Sequence, residues 1–341
     1  MLKAKKTSRR KFIKQSSLAL SAYSVSNSLL LPFPLKNNSM VENKSFDVII
    51  IGGSYSGLSA AMALGRSLRN TLVIDSGKPC NRQTPHSHNF LTQDGKTPAQ
   101  ISTIAKQQVE AYETVKFYNG LATNGKKRNE GFEIETASGE TFFSKKLIIA
   151  TGIKDIMPDI KGFSNCWGIS VIHCPYCHGY EYRTQKTGIM ANRGQAFHLA
   201  SLVNNLTPNL TILTQGEADF DMEQIKKLKK HKIEIVENEI SEIEHKNGQI
   251  NNVIFKNGRK MNFDAVYAAI PFIQHSDIPN TLGCNLNEQG YIEVDPFQKT
   301  SVEGVFACGD NTTPFRSVAY AVSCGNIAGA IVNKELVEER F

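Results

Sequence analysis

The chain has 341 residues, enough for two domains with full hydrophobic cores, and carries 39 Lys and Arg against 32 Asp and Glu. Eight of the basic residues and no acid fall within 1–39, so the rest of the chain holds 31 basic against 32 acidic side chains. That balance argues against a nucleic-acid partner, and seven cysteines with only one close pair exclude a disulfide-stapled secreted framework.

The basic leader reads Thr7-Ser8-Arg9-Arg10-Lys11-Phe12-Ile13-Lys14, followed by a Ser-rich apolar run over 16–31. A twin arginine before a weak hydrophobic region resembles a Tat export signal over 1–39. The run is too polar for a transmembrane span. No clear Ala-x-Ala site follows it, so an uncleaved leader acting as a membrane tether is part of the expectation. The alternative is a cytoplasmic chain opening at Met40, which the cysteine usage suits better.

Phe46-Asp47-Val48-Ile49-Ile50-Ile51 has the continuous apolar character of a buried parallel strand. Gly52-Gly53-Ser54-Tyr55-Ser56-Gly57 follows, then a small-residue helix over 58–68, then a strand over 71–74 ending in Asp75. This is the layout of a dinucleotide-binding βαβ unit. Gly52 permits the tight turn and Gly57 close helix–strand packing, while Ser54 takes the middle glycine's place. Helix-terminal amides are expected to hold a pyrophosphate and Asp75 a ribose.

Further along, alternation predicts hairpin strands over 132–136 and 141–143, and a separate buried strand over 146–149 leading into Ala150-Thr151-Gly152. A second βαβ-like segment runs through a strand at 188–191, a turn at 192–195, a helix at 196–204 and a strand at 210–213. A basic helix segment spans 226–232, and strands are expected over 232–237, 253–256 and 265–269. A short strand then delivers Gly309-Asp310 to a loop, before an Ala- and Gly-rich helix over 317–336.

The segment Ile172-His173-Cys174-Pro175-Tyr176-Cys177-His178-Gly179-Tyr180-Glu181 carries the chemistry. Two cysteines three positions apart lie within disulfide distance on one helical turn. A helix N-terminus and a neighbouring imidazolium each raise the thiolate fraction. Zinc also uses this spacing, with His173, His178 and Cys166 available to complete four ligands. Redox and metal readings are both open from the motif alone.

Taken together, Gly52 to Gly57, Ala150-Thr151-Gly152, the Cys174/Cys177 pair and Gly309-Asp310 followed by Arg316 resemble the low-molecular-weight thioredoxin reductase family of FAD-dependent disulfide oxidoreductases. The resemblance covers 45–341. It implies an α/β fold of two Rossmann-like nucleotide-binding domains, the second inserted in the first. The FAD domain would be split over 44–157 and 280–341, with an NAD(P)-type domain over 158–279 carrying the cysteines. It implies FAD held by Gly52, Gly53, Ser54, Ser56, Gly57, Asp75, Ala150, Gly152, Gly309, Asp310 and Arg316. It also implies a homodimer, a redox disulfide rather than a metal site, Cys177 nearer the flavin, and Cys174 as the residue that forms the mixed disulfide with substrate.

Departures from the family pattern point to a particular branch. At the second nucleotide turn Ala191-Asn192-Arg193-Gly194-Gln195-Ala196 lacks both fingerprint glycines. A side chain at positive φ there costs on the order of 1 kcal/mol. Residues 214–225 carry Glu217, Asp219, Asp221 and Glu223 and no base, a poor receptor for a 2′-phosphate. The NADPH site therefore reads as degraded, with NADH less disfavoured. His178 replaces the usual acid after the second cysteine. Cys-Pro-x-Cys-His-Gly resembles the gliotoxin- and holomycin-type dithiol oxidases. The resulting expectation is a dithiol oxidase acting on a small dithiol or a thioredoxin-like protein, with oxygen or another non-NADPH acceptor and His178 as general base near its ordinary pKa of about 6.5. The rival expectation is an NAD(P)H- or ferredoxin-dependent thioredoxin reductase.

Overall fold

The computed structural model describes residues 43–341; the leader expected over 1–39 lies outside the described residues. Strand β1 (Ser45–Ile51) leads into helix α1 (Tyr55–Arg66) and strand β2 (Thr71–Asp75). Helix α2 (Pro98–Glu110) and strand β3 (Val115–Asn119) follow. Strands β4 (Ala122–Arg128), β5 (Gly131–Thr136) and β6 (Thr141–Ile149) complete the run. These strands form one sheet in the order β3-β2-β1-β6-β5-β4. β1 lies parallel to both β2 and β6. Val48, Ile49 and Ile50 are fully buried, so both faces of β1 are covered, as its unbroken apolar run requires.

The hairpin strand expected over 141–143 and the buried strand expected over 146–149 are a single strand. The first half of β6 pairs antiparallel with β5, with Thr141 opposite Glu135 and Ser144 opposite Phe132. Its second half pairs parallel with β1. The polar triplet Ser144-Lys145-Lys146 reads as a break, but Lys146 is buried and its ammonium is held by Glu335 at 2.9 Å and Glu339 at 2.6 Å.

From β6 the chain crosses by strand β7 (Ile153–Asp155), helix α3 (Phe163–Cys166) and strand β8 (Val171–Ile172) to helix α4 (Pro175–His178). Strand β9 (Thr187–Met190), helix α5 (Arg193–Val203), strand β10 (Leu210–Leu213), helix α6 (Met222–Lys230) and strand β11 (Glu234–Val236) make a second βαβ system. An antiparallel group of β12 (Ile240–Lys246), β13 (Gln249–Phe255) and β14 (Lys260–Met261) precedes β15 (Ala265–Ala268). The second parallel sheet has the order β11-β10-β9-β15-β8.

The return crossing is β16 (Phe272–Gln274), which pairs antiparallel with β7, Phe272 opposite Asp155. Helix α7 (Ile278–Leu282), strand β17 (Val305–Ala307) and helix α8 (Val318–Glu338) end the chain. β17 joins the first sheet beside β6. α8 lies on α1, where Ala328, Val332 and Leu336 share a core with Leu58, Ala61 and Leu64. The first sheet is thus assembled from two stretches of chain, with the second sheet between them in sequence.

Candidate functional site

The first turn is built by close backbone approach. Gly52 has φ +106°, and a Cβ there would meet the Ala150 carbonyl oxygen at 2.2 Å. A Cβ on Gly57 would lie 1.9 Å from the Gly52 oxygen. Neither position accepts a side chain. Ser54 is the N-cap of α1 but makes no side-chain cap hydrogen bond, so the leading amides of α1 have no side chain on them. One oxygen of Asp75 is already used: its Oδ1 accepts from the Gly53 N–H at 3.1 Å and ties the turn to the end of β2.

This turn opens on a cavity of about 570 Å³. Gly52, Gly53, Ser54, Ser56, Asp75, Ala150, Gly152, Gly309, Asp310 and Arg316 all line it. Gly57 does not and acts from beneath. His173 and His178 line the same cavity, whereas Cys174 and Cys177, their sequence neighbours, do not. Two loops far apart in sequence therefore converge with the disulfide segment on one space.

Arg316 forms a two-pronged ion pair with Asp155, at 2.9 and 3.0 Å. Their side chains are 14% and 7% exposed, so the pair is largely out of solvent. The Arg316 Nε lies 3.8 Å from Asp310 Oδ2. The Trp167 Nε1–H donates to the same Asp155 carboxylate at 3.1 Å. Burial raises the Asp310 carboxyl above its ordinary range, against the opposing pull of Arg316. Cys80 is exposed, and its sulfur lies 3.7 Å from Asp310 Oδ2. Asp155, Trp167 and Cys80 escape sequence reasoning. Asp155 has no motif around it, and its role arises only where β7 crosses between sheets.

Cys174 and Cys177 are joined as a disulfide with a Cα–Cα distance of 5.3 Å. Cys174 is the N-cap of α4, its sulfur accepting from the Cys177 N–H at 3.1 Å, and Pro175 occupies the first helical position. His178 closes the same turn. Burial pushes its pKa down to about 4, with His88 adding to the fall. Burial also pushes His173 down to about 3, helped by Arg316 and His178. The ordinary imidazole expected at His178 is thus replaced by one held neutral well below pH 6. The loop carrying His86 and His88 reaches this segment. His88 stands 3.6 Å from Glu181 and 3.5 Å from Asp94. Cys166, the further ligand of the zinc reading, is instead fully buried in a core with Phe163 and Val171.

The second turn is filled by the protein's own groups. Asn192 is the N-cap of α5, and its Oδ1 accepts from the N–H of Arg193 at 2.8 Å and of Asp219 at 3.1 Å. Its Nδ2 donates to the Glu217 carbonyl at 2.8 Å. Arg193 sits at φ +56° and pairs with Asp219 at 2.9 Å. Asp221 is the N-cap of α6, accepting from the Gln224 N–H at 2.8 Å.

Residues 46–325 match the sequence signature of the pyridine nucleotide-disulphide oxidoreductase family. The thioredoxin reductase sirT of Leptosphaeria maculans is 32% identical over 307 residues, covering 84% of this chain and 93% of its own. The thioredoxin reductase tcpT of Claviceps purpurea is 31% identical over 304 residues, covering 86% and 95%. A solved oxidoreductase from Agrobacterium tumefaciens is 37% identical and superposes with a TM-score of 0.81, over 86% of this chain and 99% of its own.

Proposed function

The chain belongs to the pyridine nucleotide-disulphide oxidoreductase family, and from that premise we propose that it is a dithiol oxidase. In this reading FAD couples the Cys174–Cys177 disulfide to dioxygen or another acceptor that is not NADPH. The observation that carries the finer reading is the second turn. A dinucleotide pyrophosphate needs free helix-terminal amides. The amide of Arg193 is already satisfied by Asn192, and the Arg193 side chain at the turn is paired with Asp219.

The first turn fits FAD. The leading amides of α1 lack a side-chain cap, and Thr151 Oγ1 and Arg316 Nε are buried on the cavity wall without a hydrogen-bond partner among the described residues. In this reading Gly52, Gly53, Ser54, Ser56 and Gly57 hold the pyrophosphate, Asp75 the adenosine ribose, and Ala150, Gly152, Gly309, Asp310 and Arg316 the remainder. Bound there, FAD would supply the two-electron acceptor for the disulfide, with dioxygen or another acceptor as the final oxidant.

The chain's own residues conduct the thiol chemistry. A substrate thiolate attacks Cys174 Sγ; the Cys174–Cys177 bond breaks and Cys177 leaves as thiolate. The second substrate thiolate then displaces Cys174, closing the substrate disulfide and leaving two reduced cysteines. The substrate loses two electrons and two protons, and His178 is placed to take up a proton. In the oxidised state its imidazole is neutral. A thiolate appearing at the neighbouring Cys177 draws its pKa back up, so proton uptake coincides with opening of the disulfide.

A Cys177→Ser variant is expected to keep FAD and lose dithiol-dependent oxygen uptake; unchanged uptake refutes the assignment. The thioredoxin reductase names of the relatives favour the rival reductase, acting on a thioredoxin-like protein with NADH, NADPH or ferredoxin as donor. Anaerobic mixing separates the two, because rapid bleaching of the flavin by micromolar NADPH rules out the oxidase. Tat-like export of a homodimer accords with an enzyme that needs no pyridine nucleotide, and fractionation of cells expressing the full chain tests it.

A further inference from the structure

Among the described residues the chain passes between its two parallel sheets only through β7 and β16, which pair as a two-stranded ribbon. Such a ribbon, with a short ladder and no sheet on either side, is a natural joint. Asp155 sits on it. One carboxylate there holds a group from each side. Arg316 comes from the loop after β17 of the first sheet, bonded at 2.9 and 3.0 Å. Trp167 follows α3 on the way into the second sheet, bonded at 3.1 Å.

Trp167 is anchored in turn. Its ring stacks on Phe163 at 5.8 Å with 19° between planes and lies within the core that also holds Val171 and Val266. The other neighbour of the ring is His173, with centroids 5.8 Å apart. His173 directly precedes Cys174. An unbroken line of contacts thus runs from the cavity-side loop through Arg316, Asp155, Trp167 and His173 to the disulfide.

We propose that Asp155 is a positioning residue that locks the joint between the two sheets and so fixes the Cys174–Cys177 disulfide against the cavity. The proposal rests on the functional reading only in that electrons are taken to pass from the disulfide to a cofactor in that cavity. A fixed joint suits an enzyme whose single electron entry is this disulfide, because no second donor has to reach the same cavity. Arg–carboxylate forks hold geometry as well as charge, and a buried pair that loses one partner leaves the other uncompensated.

The test uses the FAD-loaded full chain and two variants. Asp155→Asn removes the charge that holds Arg316. Trp167→Phe keeps the Asp155–Arg316 pair and the aromatic ring and removes only the N–H donor, so it guards against a variant that simply folds poorly. Anaerobic bleaching by dithiothreitol is expected to slow at least tenfold in Asp155→Asn and about threefold in Trp167→Phe. Rates are compared per bound FAD, and the KM for the dithiol should stay within twofold. Amide exchange at 153–156 and 272–275 should quicken at least tenfold in Asp155→Asn. Bleaching within twofold of wild type in both variants overturns the proposal, as does unchanged exchange across the ribbon. A wild-type protein that no dithiol bleaches refutes the functional reading, and the exchange comparison then decides the joint by itself.

Discussion

Acidification should destabilise this protein through two histidines, and the size of the effect follows from their surroundings. His173 and His178 have folded pKa values pushed down to about 3 and about 4, chiefly by burial. An unfolded histidine titrates near 6.5. Depressed folded values mean that the stabilisation is fully present above pH 6.5, falls steadily as pH drops below it, and is wholly lost once pH has passed 4 and 3, because the unfolded chain binds protons that the native state refuses. Lowering pH from 7.5 to 5.0 passes about 1.5 units below the unfolded value. At about 1.36 kcal/mol per unit, each histidine contributes a loss of about 2 kcal/mol, or about 4 kcal/mol for the pair. Carboxylates add their own acid dependence, so the informative quantity is a difference. Melting curves of the FAD-loaded wild type and of His178→Gln are recorded at pH 7.5 and 5.0. The variant, with nothing to protonate there, should fall by about 3 °C less than wild type over that interval. Equal falls in the two proteins refute the claim that His178 is held neutral by its surroundings, and with it the redox-coupled proton uptake.

Two further substitutions test the nucleotide turns. Gly57→Ala places a Cβ 1.9 Å from the Gly52 oxygen, where ordinary contact needs about 3.5 Å. The start of α1 must shift by more than an ångström, at about 1–3 kcal/mol. FAD retention through gel filtration should fall sharply; full retention at the wild-type melting temperature contradicts the turn geometry. Arg193→Gly relieves a left-handed residue worth about 1 kcal/mol and loses an exposed ion pair worth at most about 1 kcal/mol. Its melting temperature should stay within about 3 °C of wild type, and NADPH should still fail to bleach the flavin because Asn192 continues to cap α5. Bleaching by NADPH in this variant shows that Arg193 alone closes the turn.

The first βαβ unit was legible because each of its residues serves a local need. An apolar run buries a strand on both faces, Gly52 and Gly57 admit backbone contacts, and Asp75 ends the second strand. The spacing allowed the disulfide, and the family resemblance chose it over a metal site. What sequence could not supply is contact between segments far apart in the chain. Asp155 meets Arg316 across 161 positions, and β6 spans a polar triplet because Glu335 and Glu339 from α8 arrive to neutralise Lys146. The depressed pKa of His178 belongs to the same class. Its sequence neighbours suggest an ordinary imidazole, and only the folded cavity wall removes it from water.

The two nucleotide turns sit in equivalent places and differ by a few atoms. Ser54 and Asn192 are both N-caps following a buried parallel strand. The serine leaves its helix without a side-chain cap, so those amides can serve a phosphate. The asparagine is one carbon longer and carries a carbonyl that reaches its helix and the adjacent loop together. Capping of this kind contributes about 1 kcal/mol, so an anion entering the second turn must displace a bond already made. A nucleotide's 2′-phosphate meets the acidic segment 214–225, which carries Glu217, Asp219, Asp221 and Glu223 and no basic residue. Both costs disfavour a bound NADPH, the first at its pyrophosphate and the second at its 2′-phosphate. Their joint presence supports a chain in which electrons reach the cavity from the Cys174–Cys177 side.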